Sequence, residues 1–488
     1  MDKISLRNLN DFGRTAAEDE PVIDYFLSTP AVDKILAGNI LLVLGRKGSG
    51  KTALVKHFTE TLSNDHGSPV SLRNYPWSAH AELVDKGASE SEAYVASWRL
   101  LIAIRMASHV VRRGQGRPYT DARSALEKFL MRNFGSTDPE TQSIVQQQKL
   151  NVEGLSIGPQ IAGIALGSIN LRREATDRVL GAELNALTNS ILNDVSTVVA
   201  ELGIDRLYMH FDELDQGLDR LNEQRKFMIV GLILAAREIS RASNLRANIC
   251  PVVYLRTDIW DQITFSDKNK ITRNSAHSLR WDSSSLKSLV EIRLTKKLGT
   301  PVVWSQIEDM EKMRGSQAKF DHVVARTLMR PRDIIQFLNE ALEVARERDV
   351  EPLIFVNDDI NRCRGAYSEY LKEELDDEVS PHWPKWDDAL AVCSKTETIT
   401  FDRANFIANY QTMRSKEDDL SADEALEELY RFSVIGYQTR MGAGGSGWAF
   451  RYLNPNAKWD PSVSRLKVHL GLKEFARLKE ERGSNGDA

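Results

Sequence analysis

The chain has 488 residues, which is too long for one core, so about two to four domains are expected. Its apolar content of 42% and charged content of 27% are those of an ordinary globular protein. A net charge of −5 excludes a chain-wide polyanion-binding surface, so any nucleic-acid contact must be local. The three cysteines lack metal-ligand spacing and the N-terminus lacks an apolar signal, which is typical of a cytoplasmic protein.

Residues 1–37 are mixed in character and include the amphipathic run Tyr25-Phe26-Leu27. We expect this N-terminal segment to pack on the core of the domain that follows. The apolar run at 40–44 predicts a buried strand, and residues 53–58 predict the start of a helix. The residues between that strand and that helix carry the first chemical signal of the chain.

The stretch GRKGSGKT at 45–52 fits G-x-x-x-x-G-K-[ST], a phosphate-binding loop (P-loop). Its glycines let the backbone N–H groups surround a phosphate chain, and the helix N-terminus adds partial positive charge. Lys51 is expected to reach the β- and γ-phosphates, and Thr52 to hold Mg²⁺. The residues predicted to bind the nucleotide are Gly45, Lys47, Gly48, Ser49, Gly50, Lys51 and Thr52.

An insertion near 113–180 interrupts the predicted P-loop domain, which spans 38–282. A helix is predicted at 91–112, and the apolar spacing over 180–198 predicts an amphipathic helix that faces the core. The segment GLSIGPQIAGIALGSIN at 154–170 is too short and too interrupted for a membrane span. A β-hairpin or an exposed apolar insertion fits it better, so we expect no membrane association.

An acidic pair follows the next core strand, at 207–211. Asp212 is predicted to coordinate Mg²⁺ through water, and Glu213 to orient or deprotonate an attacking water. A third strand at 249–255 ends in Arg256 and lies between the other two if the sheet has the usual order. Arg256 is then placed to sense the γ-phosphate. The alternation of strands and helices predicts a parallel sheet covered by helices.

A helical lid is predicted at 283–372. Arg332 begins a helix in this region and is predicted to reach the nucleotide. Arg330 is the alternative, because Pro331 separates the two arginines and only one of them is expected to point inward.

The acidic run at 373–378, with prolines shortly after it, indicates a linker. Residues 381–479 predict a winged-helix-like domain, because two strands joined by a glycine-rich loop follow a helix. Residues 480–488 predict a frayed tail.

The motifs GRKGSGKT, HFDELD, VVYLRTD and RPRDIIQFLNE, in this order, resemble those of bacterial AAA+-related P-loop ATPases, closest to the KAP and STAND-like groups. FGRTAAEDE and NYPWSAHAEL resemble a stand-alone bacterial ATPase family of that kind. The resemblance implies an α/β P-loop NTPase (AAA+-like) core with a parallel sheet, a helical lid and a C-terminal winged helix. It implies ATP as the nucleotide, Thr52 and Asp212 as the Mg²⁺ residues, and Glu213, Arg256 and Arg332 as catalytic residues. KAP proteins usually carry membrane helices inside the core, and this sequence departs from that pattern.

Three functions remain open at this point. The first is an ATP-hydrolysing switch that forms a homo-oligomer and signals to a partner or effector protein, which the resemblance links to antiviral defence. The second is a DNA-acting ATPase whose winged helix contacts duplex DNA, because residues 431–478 are locally basic. The third is a small-molecule kinase, which the lid and sensor pattern disfavours.

Overall fold

The described strands form a five-stranded parallel sheet, a four-stranded antiparallel sheet and a two-stranded antiparallel pair. A computed structural model describes residues 2–15, 20–62, 69–72, 75–77, 90–147, 149–155, 168–171, 177–214, 221–416, 420–440, 446–454 and 457–480. Its strands, in chain order, are β1 (Leu42–Gly45), β2 (Val70–Ser71), β3 (Lys149–Asn151), β4 (Ser168–Asn170), β5 (Arg206–Asp212), β6 (Asn248–Arg256), β7 (Ala276–Ser278), β8 (Thr400–Asp402), β9 (Ile435–Arg440), β10 (Ser446–Ala449) and β11 (Arg465–Val468).

Helices account for most of the remaining described residues. The α-helices are Pro30–Leu36, Lys51–Lys56, Glu90–Arg113, Asp121–Phe134, Thr141–Gln146, Asp177–Glu201, Glu223–Ser240, Thr257–Gln262, Lys268–Asn274, Ser283–Leu298, Lys319–Val324, Pro331–Arg346, Asn357–Arg362, Arg364–Val379, Trp386–Lys395, Arg403–Met413 and Ala422–Arg431. Their ends follow local rules: Thr120, Asn222 and Ser421 accept hydrogen bonds from the first turns that they cap.

The chain divides into two units, each with its own hydrophobic core. The sheet unit comprises Ser28–Gly45 and Lys51–Leu279, and the helical unit comprises Met1–Leu27, Arg46–Gly50 and Arg280–Ala488. The predicted lid and winged-helix regions share one core in the helical unit.

The sheet unit is built on a five-stranded parallel sheet in the order β2–β5–β6–β1–β7. The predicted α/β fold is confirmed, and β6 lies between β1 and β5 as expected. Residues along β1, β5 and β6 are buried almost without interruption, as in a sheet whose two faces are both covered. The predicted helices at 91–112 and 180–198 are present as Glu90–Arg113 and Asp177–Glu201, which pack together.

β3 and β4 pair antiparallel, but β3 precedes the segment 154–170 for which a hairpin is predicted, and only β4 lies within it, so the hairpin stays a prediction. Most of the apolar segment that suggested it, residues 156–167, lies outside the described residues. Across the described ranges, no helix is long and apolar enough to cross a membrane.

The N-terminal segment differs from its prediction. Residues 1–27 belong to the helical unit, and only the part from Ser28 onward belongs to the sheet unit. The reason is apolar burial: Leu6, Leu9 and Phe12 are at most 1% exposed and lie in the core of the helical unit. The Leu6 amide also donates to the carbonyl of Leu353 at 2.8 Å.

The predicted linker at 373–378 is instead part of a helix, Arg364–Val379, which we call the acidic helix. Leu371, Leu375 and Val379 are buried on one face of it, and Glu378 is 2% exposed. A linker exposes its charges to water, whereas the carboxylates of this helix have cationic partners in the fold, described below. The acidic composition of residues 373–378 suggested a linker, although Leu371, Leu375 and Val379 have the spacing of an apolar helix face.

The winged-helix region follows its predicted order. Three helices (Trp386–Lys395, Arg403–Met413 and Ala422–Arg431) accompany a four-stranded antiparallel sheet in the order β10–β9–β11–β8. β9 and β10 form the predicted pair of strands, and residues 441–445 of the loop between them lie outside the described residues. Of the predicted tail, Glu480 is described and residues 481–488 are not.

Candidate nucleotide-binding site

Thr52 and Asp212 meet at the carboxyl edge of the parallel sheet. Thr52 is the second residue of the helix Lys51–Lys56, and Asp212 ends β5. The Thr52 hydroxyl donates to Asp212 Oδ2 at 2.9 Å, and Asp212 is 5% exposed. The ammonium group of Lys51 donates to the Gly45 carbonyl at 3.2 Å, at the start of the same loop. Three residues predicted to serve one phosphate and metal site are therefore neighbours in the sheet unit.

Glu213 occupies a strained position directly after β5. Its φ is 61°, in the left-handed region that non-glycine residues rarely adopt. Its carboxylate accepts a hydrogen bond from the hydroxyl of Ser71, the last residue of β2. Such strain persists only where the surroundings enforce it, and it is common at functional sites. Ser71 was missed from the sequence because a two-residue strand gives no periodic signal.

Arg256 ends β6 and is 7% exposed. Its guanidinium forms two hydrogen bonds with Asp258, Nε to Oδ1 at 3.0 Å and Nη2 to Oδ2 at 2.7 Å. This two-point contact holds the planar group in one orientation. Its role as a sensor stays a prediction, and Asp258 helps to fix the direction of its guanidinium group.

Two glycines shape the P-loop. Gly48 has a φ of +75° and Gly50 of +96°, which side chains with a Cβ adopt at a cost. A Cβ at Gly48 would lie 2.8 Å from Arg332 Cβ, whereas one at Gly50 would meet nothing within 4 Å. The hydroxyl of Ser49 is buried and has no hydrogen-bond partner among the described residues. A loop with open space at Gly50 and an orphan hydroxyl at Ser49 fits a ligand rich in hydrogen-bond acceptors, such as a triphosphate.

Residues 46–50 of the P-loop belong to the helical unit, and three of their consecutive carbonyls accept hydrogen bonds from other residues of that unit. The Lys47 carbonyl accepts from Arg330 Nη1 at 3.0 Å, and the Gly48 carbonyl accepts from the Arg332 amide at 3.4 Å. The Ser49 carbonyl accepts from Trp281 Nε1 at 2.9 Å. These donors satisfy three carbonyls of the loop, and the Ser49 amide donates to a fourth, that of Arg46, at 3.1 Å.

Both candidate lid arginines therefore touch the P-loop. The side chain of Arg332 donates from Nε to the Thr15 carbonyl at 3.0 Å and pairs with Glu374 at 3.1 Å. Arg330 is 1% exposed and pairs with Asp333 at 2.9 Å. Burial lowers the pKa of Arg330, but the Asp333 and Glu378 carboxylates more than offset it and raise that pKa well above the usual value. The prediction that Arg332 reaches the nucleotide stays a prediction.

The segment Phe12–Thr15 lies beside this part of the loop. The Phe12 amide donates to Asn339 Oδ1 at 2.7 Å, and Asn339 Nδ2 donates to the Gly13 carbonyl at 2.9 Å. Together with the contact from Arg332 to Thr15, these bonds fix the segment next to the helix Pro331–Arg346. In the sequence this segment is noted only for its resemblance to a bacterial ATPase family, and no sequence pattern predicts its position beside the helix Pro331–Arg346.

Comparison with known proteins finds a family model described as "FunZ-associated C-terminal helical domain", which matches residues 284–376. This range runs from the helix Ser283–Leu298 into the acidic helix. The chain is also 22% identical over 468 residues to the "Putative transposon gamma-delta 80.3 kDa protein" of Escherichia coli (strain K12). That match covers 88% of this chain and 62% of the relative, so the chain spans less than two thirds of the relative's length.

Several solved structures are similar at low identity. The Walker-type ATPase PABY2304 of Pyrococcus abyssi has a TM-score of 0.41 and 13% identity, over 92% of this chain and 98% of that one. The Aeropyrum pernix Orc1 protein in complex with DNA has a TM-score of 0.35 and 10% identity, over 96% and 95%. Cdc6p from Pyrobaculum aerophilum has a TM-score of 0.32 and 10% identity, over 94% and 97%. The α/β P-loop fold of this chain rests on its own strand order and P-loop rather than on these distant similarities.

Proposed function

We propose that this chain binds ATP with Mg²⁺ at residues 45–52 and hydrolyses it. The hydrogen bond between Thr52 and Asp212 is the observation that carries the proposal, because it brings together a hydroxyl and a carboxylate at the end of a P-loop. Mg²⁺ prefers oxygen ligands of this kind and is usually held through one or two carboxylates, waters and substrate phosphates. When bound, the ion would neutralise charge on the phosphate oxygens. The choice of ATP over GTP rests on the resemblance of the motifs.

The remaining residues have roles that follow from their chemistry. Lys51 supplies positive charge to the β- and γ-phosphates, and the P-loop N–H groups bind phosphate oxygens. Glu213 accepts a proton from the attacking water at its carboxylate, which Ser71 also contacts. Arg256 and Arg332 stabilise the negative charge that develops during phosphoryl transfer.

Two variants test this proposal. Lys51→Ala is expected to abolish ATP binding measured by calorimetry, because it removes the main cation of the loop. Glu213→Gln is expected to keep ATP affinity and to reduce phosphate release by about 100-fold or more. Unchanged hydrolysis by Glu213→Gln would remove Glu213 from the catalytic role, and tight ATP binding by Lys51→Ala would overturn the site itself.

We further propose that the nucleotide controls assembly of the chain into an oligomer. The contacts of Arg330, Arg332 and Trp281 with the P-loop carbonyls support this idea, because a loop that reshapes on binding also changes the surroundings of these side chains. Mass photometry of the wild type and of Glu213→Gln, with and without Mg-ATP, tests it. A larger species that forms only with ATP supports the switch, and an unchanged mass in all four samples contradicts it.

Duplex DNA is the second candidate ligand, and the sheet of the winged-helix region favours it. Arg440 and Arg465 are exposed, and the ammonium group of Lys467 lies 5.2 Å from the ring centre of Trp448. Arg465 and Lys467 are two residues apart on β11 and so share one face of the sheet, opposite the buried Leu466. Cations on one face can pair with phosphates.

The helix Ala422–Arg431, which precedes the β9–β10 pair, has the opposite character. It exposes the carboxylates of Asp423, Glu424 and Glu427, which repel phosphates. We therefore propose that the antiparallel sheet contacts DNA and that the helix Ala422–Arg431 does not.

Binding of a labelled duplex at several salt concentrations tests the DNA proposal. Replacing Arg440, Arg465 and Lys467 together with Gln is expected to weaken binding and to reduce its salt dependence. The control replaces the exposed lid residues Lys312 and Arg314 with Gln and is expected to bind as the wild type does. No binding by the wild type at low salt, or equal losses in both variants, contradicts DNA binding by this sheet.

A further inference from the structure

Arg46 and Lys47 occupy P-loop positions at which the G-x-x-x-x-G-K-[ST] pattern accepts any residue. The fold nevertheless gives both side chains specific partners on the acidic helix. Arg46 Nη2 lies 3.2 Å from Glu378 Oε2, and Lys47 Nζ lies 3.5 Å from Glu374 Oε2 and also pairs with Asp377. Phosphate binding does not explain these contacts.

Arg46 also reaches the winged-helix region. Its Nη2 donates to the Phe432 carbonyl at 3.1 Å and its Nη1 to the Ser433 hydroxyl at 3.3 Å. Phe432 caps the C-terminus of the helix Ala422–Arg431, where a cation is favourable because the last carbonyls carry partial negative charge. Ser433 is fully buried with a φ of 64°, and its hydroxyl also accepts from the Tyr452 amide at 3.0 Å. A P-loop side chain thus holds a strained turn of the winged-helix region.

Glu378 joins this contact to the lid. One carboxylate oxygen pairs with Arg46 and the other with Arg330, which in turn donates to the Lys47 carbonyl. The Glu378 side chain is 3% exposed, so its buried carboxylate is compensated by these two guanidinium groups. Burial lowers the pKa of Arg46, Glu378 opposes that effect, and the neighbouring Arg330 adds to it. The carboxylate of Glu378 therefore offsets part of the cost of burying the charge of Arg46.

We propose that Arg46 is a positioning residue that transmits the nucleotide state of the P-loop to residues 432–440 of the winged-helix region. The inference rests on the proposed nucleotide binding. A triphosphate fixes the backbone of residues 46–50, and a rotation of that backbone moves the Arg46 guanidinium. Since the group bridges Glu378, Phe432 and Ser433, its movement alters the hydrogen bonds at the C-terminus of the helix Ala422–Arg431. The conformation of the winged-helix region then depends on whether a nucleotide is bound at the P-loop.

Hydrogen–deuterium exchange with and without a non-hydrolysable ATP analogue tests this proposal on the full chain. In the wild type we expect protection of Lys51–Lys56 and a change of about twofold or more in exchange across residues 422–440. In Arg46→Met we expect the protection of Lys51–Lys56 to remain and the change at 422–440 to disappear. Glu378 keeps Arg330 as its partner in that variant, so the fold is expected to survive.

Two further variants separate transmission from stability. Ser433→Gly removes a hydroxyl acceptor but relieves the left-handed strain, which offsets part of the loss of the Tyr452 hydrogen bond, so it is expected to weaken the response at 422–440 in a protein that is still folded. Arg348→Met breaks another ion pair of the helical unit, with Asp359 at 2.6 Å, and is expected to keep the full response.

The outcomes are distinct. No protection of Lys51–Lys56 in the wild type overturns nucleotide binding and this inference with it. Protection of Lys51–Lys56 without any response at 422–440, or an unchanged response in Arg46→Met, overturns the role of Arg46 alone.

Discussion

The hydroxyl of Ser71 donates a hydrogen bond to the carboxylate of Glu213. Ser71 ends β2, and in the sheet it lies opposite Asp212, the residue before Glu213. The short edge strand therefore determines where the candidate catalytic carboxylate points. Glu213 also has a strained φ of 61°, a conformation that persists only where the surrounding structure enforces it.

Ser71→Ala is expected to reduce ATP turnover by about tenfold, because it frees the Glu213 carboxylate from the donor that orients it. ATP affinity is expected to stay within about twofold of the wild-type value, since Ser71 has no role in phosphate binding. Steady-state hydrolysis together with calorimetry measures both quantities. Ser71→Thr keeps a hydroxyl and should restore turnover. Equal rates in the wild type and in the alanine variant would show that Ser71 does not position Glu213.

Replacing Arg330 is expected to affect mainly stability, whereas replacing Arg332 is expected to affect mainly ATP hydrolysis. Arg330→Met leaves the buried carboxylate of Asp333 without its partner, and we expect a loss of about 3–5 kcal/mol in the free energy of unfolding. The Arg332 side chain is 20% exposed, so Arg332→Met is expected to lose about 1 kcal/mol or less. If Arg332 serves the nucleotide, its loss lowers kcat in a protein that is still folded.

Denaturant unfolding and ATP hydrolysis, measured on both variants, distinguish these effects. An Arg332→Met protein with wild-type kcat and KM would exclude Arg332 from catalysis. Full stability of Arg330→Met would contradict the role of Arg330 as the buried partner of Asp333 and Glu378.

Gly48→Ala is expected to weaken ATP binding about tenfold or more. The new methyl group would lie 2.8 Å from Arg332 Cβ, and the backbone would keep a φ of +75° that alanine disfavours by about 1 kcal/mol. Gly299→Ala is the matched control, because Gly299 has a φ of +69° in the same unit with nothing within 4 Å of a Cβ. Equal ATP affinity in Gly48→Ala and the wild type, measured by calorimetry, contradicts the close approach of the P-loop to Arg332.

The predictions from the sequence were most accurate where the pattern lies within a single secondary-structure element or between two neighbouring ones. The strand, P-loop and helix around residues 40–58 and the acidic end of β5 are local features, so their chemistry could be inferred from residue types. The central place of β6 followed from the usual strand order, and the topology confirms it.

The predictions that were wrong concern segments whose contact partners lie far away in the sequence. The run at 373–378 has the composition of a linker, but the buried Leu375 within it and its ion pairs with Arg46, Lys47 and Arg330 make it part of a packed helix. Likewise, nothing in residues 1–27 indicates that their apolar side chains belong with Leu353 and Phe355 rather than with the sheet. Both cases involve contacts between residues that lie far apart in the sequence, for example by 48 positions for Arg330 and Glu378 and by 332 for Arg46 and Glu378.

Acid is expected to destabilise the helical unit through His469. This side chain is 2% exposed, its Nδ1 accepts from the Gly471 amide at 3.1 Å, and its Nε2 has no partner among the described residues. Burial, followed by the charges of Arg46, Arg330, Arg326 and Lys467, lowers the pKa of His469 to about 3. In the unfolded chain the ordinary pKa is about 6.5, so the unfolded state binds the proton first as the pH falls.

Stability from this residue is thus complete above about pH 6.5 and is lost progressively as the pH falls toward the folded pKa of about 3. At pH 5 the loss is expected to be about 2 kcal/mol relative to neutral pH. His469→Asn keeps a side-chain acceptor for the Gly471 amide and removes the titrating group. Urea unfolding at pH 7.5 and pH 5 should therefore show a smaller acid loss in this variant than in the wild type. Equal losses in the two proteins would mean that His469 is not the group responsible for the acid sensitivity. The acid sensitivity would then lie with other buried histidines such as His322. Burial and the charge of Arg326 lower the pKa of His322 to about 3 as well.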